Sequence, residues 1–429
     1  MRTILLISPY WKEQHRWMVS SVKLAELWQG LGYRVIVACM GESGSKVECR
    51  KSKDRSKVER QKSFDLGPST KPSTFDFRHS TIEQVSETLE IHRIKDIFIP
   101  DPWNYGIAFG FTGYVRKLIK KEKPDIIVAN KLLFWTTLSV IALRVTGIKV
   151  IVLTDALVGM TWWPRNLIPK ICAAIYAWTA GWLILLCAKR VVFFHPQPES
   201  LVRKLGIAWR VEVIPTGIDL GSHWSLVTGH SSDDEGLATS DKRLVTLTYI
   251  GRLESVKGVD DFLAAVVPLK SEFPDIKIQV VGWYKEGHEL VEKYQREVTF
   301  TGLRDDIPQI LSESDIFVLP SYSEGLSNAL MEAMASGCAC IATEVGGNRF
   351  LIQNGISGLL FPPGDREALK AHIRRLIEDE AKRKMLGEAA RKRIEEEFEW
   401  KVVGEKYGRL FDKFTTSAST GSQLRSNVI

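Results

Sequence analysis

Short apolar runs alternate with segments of helical spacing along most of the chain. "TILLIS" (3–8) predicts a buried strand. "VSSVKLAELWQGLG" (19–32) follows, with Val22, Leu24, Leu27, Trp28 and Leu31 on a helical repeat that stops at Gly32. "YRVIVACM" then reads as a second strand, so the chain opens as a βαβ unit, the start of a parallel sheet. The alternation resumes with "PDIIVAN" (124–130), the helical "LLFWTTLSVIALRVTG", "KVIVLTD" (149–155), "RVVFFH" (190–195) and "RVEVIPTGID" (210–219). Between the second strand and this resumption, residues 41–74 are rich in Ser, Lys and Arg and predict a mobile basic surface insertion.

The second half repeats the pattern after a polar segment, 221–242. Strands are expected at 244–252, 276–282, 298–302, 315–321 and 338–343, and helices at 258–271, 328–336, 366–377 and 380–397. The chain therefore divides into a domain over 1–218, a linker over 219–242 and a second domain over 243–399. A further helix over 400–414 is expected to return towards the first domain, with a disordered tail over 415–429. Both domains read as Rossmann-like doubly wound α/β units whose carboxyl edges face a common cleft, a usual place for a ligand.

One stretch breaks the amphipathic pattern. Residues 171–188, "ICAAIYAWTAGWLILLCA", hold no charge and are bracketed by Lys170 and Lys189-Arg190. As a helix they would extend about 27 Å, just short of a ~30 Å hydrocarbon core. The flanking strands should pair in one parallel sheet, and a helix crossing a bilayer would separate them, so the stretch is expected to be a crossover helix. Ala174, Ala177, Gly181 and Ala188 form a small-residue stripe suited to packing on the sheet. Ile171, Ile175, Trp178, Trp182 and Leu185 form a bulky stripe about a quarter-turn away, with Trp162 and Trp163 just upstream. An uncharged outer face with aromatic and basic neighbours suits contact with a membrane surface. Burial against protein is the alternative reading.

Charge sharpens that expectation. The net charge of +7 conceals a basic first half, 32 Lys and Arg against 18 Asp and Glu over 1–215, and an acidic remainder, 26 against 33. The first half also holds 10 of the 13 Trp. An anionic partner follows, either a membrane surface or nucleic acid. The six Cys form no CxxC pair and no cluster with His, so neither zinc nor a disulfide framework is signalled and buried reduced thiols are expected. The N-terminal apolar run lacks a following small-residue cleavage site and reads as a strand rather than a signal peptide.

The densest chemical signal is "LPSYSEGLSNALMEAMASG" (319–337). Glu324 falls in the turn after a strand, Gly325 admits a ligand to the backbone, and Ser327 is a good N-cap for a helix from Asn328. The free N–H groups and positive dipole of that helix suit a phosphate. Glu332 lies one turn on, on the face of Asn328. A second signal, "GRLESVKGVDDF" (251–262), ends a strand with Arg252 and places Lys257 before a helix, two cations for a diphosphate leaving group.

In order and spacing these segments, with "VIPTGID" (213–219) and "GLRDDIPQILSESDIFVLPS" (302–321), resemble the family 4 glycosyltransferases. The resemblance covers nearly all of the second domain and implies the GT-B fold of two facing Rossmann-like domains. It implies that Glu324 contacts the donor sugar, Glu332 the ribose hydroxyls, and Arg252 and Lys257 the diphosphate of a nucleoside-diphosphate sugar. Backbone at Leu303 and Arg304 would meet the base, and Gly325, Leu326, Ser327 and Asn328 the diphosphate or sugar. It further implies transfer with retention and no bound metal or other cofactor. The first domain departs from the family: the loop after the first strand, "SPYWKEQHRW", has no Gly, and "TDALVGMTWWPR" carries Asp155 where many members carry His. Asp155 is accordingly the candidate base or acceptor-orienting residue, with a cap on the strand end as its other reading. With the apolar helix, the expected enzyme is peripheral on the cytoplasmic membrane face, acts on a lipid or lipid-linked acceptor, and has an anionic membrane surface, not nucleic acid, as its partner. A sugar-nucleotide epimerase or hydrolase, a transferase with a soluble acceptor, and a non-catalytic docked subunit are the other readings.

Overall fold

The computed structural model describes residues 1–11, 19–41, 80–99, 105–132, 134–155, 157, 159–161, 167–221 and 244–423. The expected insertion 41–74, most of the 219–242 linker, and Trp162 and Trp163 lie outside them. In the first domain the elements run β1 (Thr3–Ile7), α1 (Val19–Gly30), β2 (Arg34–Met40), β3 (Ser80–Ser86), β4 (Leu89–Ile94), β5 (Ile97–Ile99), β6 (Tyr105–Ile107), α2 (Phe111–Glu122), β7 (Ile126–Asn130), α3 (Ser139–Val145), β8 (Ile151–Thr154), α4 (Leu167–Cys187), β9 (Arg190–Phe193), α5 (Glu199–Lys204) and β10 (Val211–Val213). Eight of these strands form one sheet in the order β10-β9-β8-β7-β1-β2-β4-β3, parallel except where β3 turns back on β4. β1, the expected first strand, pairs with β2 and β7 at its centre.

The second domain runs β11 (Thr246–Ile250), α6 (Val259–Val266), β12 (Lys277–Val281), α7 (Glu289–Tyr294), β13 (Thr299–Gly302), α8 (Ile307–Ser312), β14 (Ile316–Leu319), α9 (Asn328–Ala335), β15 (Ala339–Thr343), α10 (Asn348–Leu351), β16 (Leu359–Phe361), α11 (Arg366–Glu378) and α12 (Glu380–Glu397). Its parallel sheet has the order β13-β12-β11-β14-β15-β16. The central strands of both sheets are buried along their length, which is why they read as unbroken apolar runs rather than alternating ones. Each sheet carries an apolar cluster on either face.

The last helix, α13 (Trp400–Gln423), packs on the first domain. Tyr407 and Phe411 meet Trp28 of α1 edge-on, with ring centroids 5.7 and 5.5 Å apart. The helix continues well past 414, so the expected disordered tail is corrected as far as Gln423; 424–429 lie outside the described residues. At its start the chain passes beside its earlier exit from the first domain: Ile218 bridges Glu399, and Gly217 lies so close to the Trp400 ring that a Cβ there would come within 2.5 Å.

α4 answers the question raised by the apolar stretch. It is long and apolar enough to cross a membrane, yet it joins β8 to β9, which pair in parallel from Ile151↔Arg190 onwards. It therefore stays on one side of the sheet. Ala173, Ala177, Gly181, Ile184 and Ala188 are buried, while Ala174 is only half-buried. Ile171, Ile175, Trp178 and Trp182 are exposed, joined by Leu167, Ile168 and Leu183. Leu185 is a correction: it is fully buried and makes no outer contact. Residues Ala177–Gly181 form a π-helical turn, which takes up one extra residue and rotates everything after it, so the 3.6 repeat fails between Trp178 and Leu185. Cys172 on the same helix is exposed, against the expectation of buried thiols, while Cys39, Cys338 and Cys340 are buried.

The aromatic seam makes α13 part of the first domain's core. Phe411→Ala is expected to cost about 3–5 kcal/mol in denaturant unfolding. A loss under about 1 kcal/mol would show that the seam is not structural.

Candidate active site

In the second sheet β11 and β14 are neighbours, and the chain leaves them in opposite directions. Their carboxyl ends thus open a crevice, the switch point of the fold. The loop after β11 carries Arg252 and Lys257, and the loop after β14 carries Ser321, Glu324 and Gly325. Two segments 67 residues apart therefore meet: Lys257 Nζ donates to Glu324 Oε1 at 2.8 Å, and Ser321 Oγ donates to the same oxygen at 2.7 Å. The Glu324 side chain is 10% exposed and fixed by both bonds. Gly346 (φ +47°) clamps the turn from behind, where a Cβ would come within 1.9 Å of the Glu324 carbonyl, and Gly347 N–H donates to Gly325 O at 2.9 Å.

Arg252 is not beside Lys257 in this arrangement. Its exposed guanidinium pairs with Glu254 at 2.9 Å, so the two expected phosphate cations are held apart by different carboxylates. Leu303 is exposed, and Arg304 forks onto Asp306 at the crevice rim. Ser327 caps α9 as its sequence suggests, accepting from Leu330 N–H at 3.3 Å; Leu326 beside it packs into the core.

One turn into α9, Glu332 lines a cavity of about 250 Å³ together with Asn328, Thr216 and Trp400, and with Ser20 and Lys23 of α1 from the other domain. Burial pushes the Glu332 carboxyl up to about 7, and among the described residues no cation pairs with it to offset the lost hydration. Glu324 and Lys257 do not line this cavity; the Glu324 turn faces Asp155 of the first domain instead.

Across the cleft the first domain presents the ends of β7, β8 and β9. Asp155 follows β8 directly. Its Cβ and Oδ2 lie 3.8 Å from where a Cβ on Gly325 would stand, so the two domains bring Asp155 and the Glu324 turn together. Lys131, the residue after β7, donates to Asp155 Oδ2 at 2.6 Å. His195, two residues past the end of β9, is buried, and that burial pushes its pKa down and keeps the ring neutral. Its Nδ1 contacts Pro196 O at 3.1 Å and its Nε2 lies 3.3 Å from the Gln197 amide, which fits a ring protonated on Nδ1. Lys131, Ser321, Lys23 and His195 were not singled out by motif. Lys131 and His195 occupy the sheet edge that Asp155 marks, and that adjacency was their signal in the sequence. Among the described residues no three His, Cys, Asp or Glu gather as a metal site.

Comparison with known proteins agrees with this geometry. The model of glycosyltransferase family 4 matches residues 19–222, and that of glycosyl transferases group 1 matches residues 234–393, so together they span most of the chain. The UDP-Gal:alpha-D-GlcNAc-diphosphoundecaprenol alpha-1,3-galactosyltransferase of Escherichia coli is 28% identical over 62% of this chain and 69% of its own. The phosphatidyl-myo-inositol mannosyltransferase of Mycolicibacterium smegmatis is 26% identical over 44% of this chain and 52% of its own, under two thirds of that protein. Among solved structures, the sucrose-phosphate synthase of Thermosynechococcus elongatus superposes with a TM-score of 0.67 at 20% identity, covering 97% of this chain and all of that one, and shows a shared GT-B fold.

The Glu332 environment has a measurable signature. A carboxyl raised from 4.5 to about 7 on folding binds its proton more tightly in the native state. Its contribution to stability is full below pH 4.5 and is lost as pH rises through 7. Glu332→Gln should therefore be more stable than wild type at pH 8 by about 3 kcal/mol and close to it at pH 4.5, as read from urea midpoints. Equal midpoints at pH 8 would show that the carboxyl is hydrated.

Proposed function

The chain belongs to the family 4 glycosyltransferases, and from that premise we propose that it transfers a sugar, with retention of configuration, from a nucleoside-diphosphate sugar to a lipid-linked acceptor at the cytoplasmic face of a membrane. The observation that carries this reading is the cleft itself, with a fixed Lys257–Glu324 pair on one wall and Asp155 on the other. The bond from the sugar C1 to the diphosphate breaks as the acceptor oxygen bonds to C1 on the same face. The proton of the acceptor hydroxyl passes to the departing phosphate oxygen. Arg252, Lys257 and the free N–H groups of α9 meet the charge on the diphosphate, and no bound metal takes part. Glu324 faces the sugar and its developing positive charge, Glu332 holds the ribose hydroxyls, and Leu303 and Arg304 border the base. Asp155 accepts the hydrogen bond of the acceptor hydroxyl as it binds and orients it, before that one proton turns to the departing phosphate oxygen.

The lipid part of the proposal is supported by α4 and by the two relatives, whose names contain diphosphoundecaprenol and phosphatidyl-myo-inositol. Among the described residues, Ile171, Ile175, Trp178 and Trp182 keep 41–60% of their surface exposed. Lys204 Nζ stands 4.9 Å from the Trp178 ring, and Trp209 is 64% exposed beside Arg210. Apolar and aromatic surface edged by cations fits an anionic bilayer at headgroup depth.

Glu324→Ala is expected to lower turnover by about 10²-fold or more with the fold retained; wild-type turnover in that variant would sink the assignment. Replacing Trp178 and Trp182 together by Ser should weaken pelleting with phosphatidylglycerol vesicles roughly tenfold. Unchanged pelleting would remove α4 from the membrane contact.

A further inference from the structure

Among the described residues only two without a glycine's freedom adopt positive φ, Lys123 at +46° and Lys131 at +71°. Lys123 closes α2 as its left-handed cap, an ordinary place for that conformation. Lys131 ends a strand, not a helix. Its backbone is pinned there: its N–H donates to Leu153 O at 2.8 Å, and the preceding Asn130 side chain donates to Ser21 at 2.7 Å. The following Leu132 carbonyl accepts from Thr137 at 2.9 Å and from Tyr176 of α4 at 3.2 Å.

A left-handed backbone is strained for Lys and free for Gly, so nothing in the turn itself calls for a lysine. What the turn achieves is to swing the side chain across the end of β8, where Nζ meets Asp155 Oδ2 at 2.6 Å and lies 5.7 Å from the Phe194 ring centre. Only 18% of that side chain is exposed. Strain retained beside a cleft carboxylate marks a functional constraint.

We propose that Lys131 is the positioning residue for Asp155: its ammonium bonds Oδ2, the carboxylate oxygen that faces Gly325, and so fixes the orientation in which the carboxylate meets the acceptor hydroxyl there. This rests on the acceptor role assigned to Asp155. Lys131 acts through Asp155 and not on the donor, whose cations lie on the other domain. The Tyr176 bond ties the same turn to the helix proposed to meet the membrane, so the acceptor site is anchored to the element nearest its lipid.

The test uses the full chain, with UDP-galactose, UDP-glucose and GDP-mannose as donors and vesicles carrying GlcNAc-diphosphoundecaprenol or membrane lipid extract as acceptors. Lys131→Gly removes the ammonium and relieves the backbone, so the protein should melt no lower than wild type while kcat falls about 10²-fold. Donor KM should stay within about twofold, Lys131→Arg should recover part of the loss, and Lys131→Gly with Asp155→Asn should be no slower than Asp155→Asn alone. Wild-type turnover in Lys131→Gly beside a crippled Asp155→Asn would overturn the positioning role alone. A tenfold rise in donor KM would do the same by moving Lys131 to the donor. Full activity in Asp155→Asn, or a wild type inactive on every pair, would overturn the acceptor assignment and this inference with it.

Discussion

A parallel strand can be followed by another only if the chain returns to the starting edge through a crossover. That constraint governs this molecule. It forces every loop that leaves the carboxyl end of a parallel strand onto one edge of each sheet, and the two edges confront each other. It brings Lys257 to Glu324 across 67 residues of sequence, and it sets Lys131, Asp155 and His195 in a row because β7, β8 and β9 are consecutive neighbours. It also makes α4 a crossover on one face of the sheet, whatever its composition, because the strands on either side of it are hydrogen-bonded to each other.

The electrostatics of the cleft follow from how far each charge is removed from water. Glu324 is nearly buried but carries a cation and a hydroxyl on one oxygen, so its charge is compensated within the fold. Glu332 has no such partner among the described residues and lines a cavity, so burial raises its proton affinity. Two glutamates eight residues apart thus differ in character through their neighbours, not their position. Arg252 is held by Glu254 at the surface, whereas Lys257 is held by Glu324 inside the turn.

Much of this was legible in the residues. Buried parallel strands announce themselves as apolar runs, and Ser327, Glu324 and Glu332 stand in a turn-and-helix context that local rules read directly. The hairpin β3–β4 and the small pair β5–β6 were missed because their strands are short or solvent-facing on one side, without a buried strand's apolar signal. Leu185 was misplaced because a π-turn changes the repeat in mid-helix, and no residue type marks such a turn. The C-terminal helix was cut short because "TTSASTGSQ" has weak helix formers, and the preceding turns, docked by Tyr407 and Phe411, carry it onward. Lys131 escaped because its importance lies in a backbone angle.

The return of α13 to the first domain has a kinematic consequence. The chain crosses between the domains twice, once at 214–221 and once at 398–400, and the crossings are stitched together: Ile218 N–H donates to Phe398 O at 2.9 Å and Trp400 N–H donates to Ile218 O at 3.3 Å. A single tether would let one domain twist and slide against the other. Two tethers bonded side by side, with Gly217 seated against Trp400, act as one pin. Rotation about that pin is the relative motion such a pair of crossings hinders least.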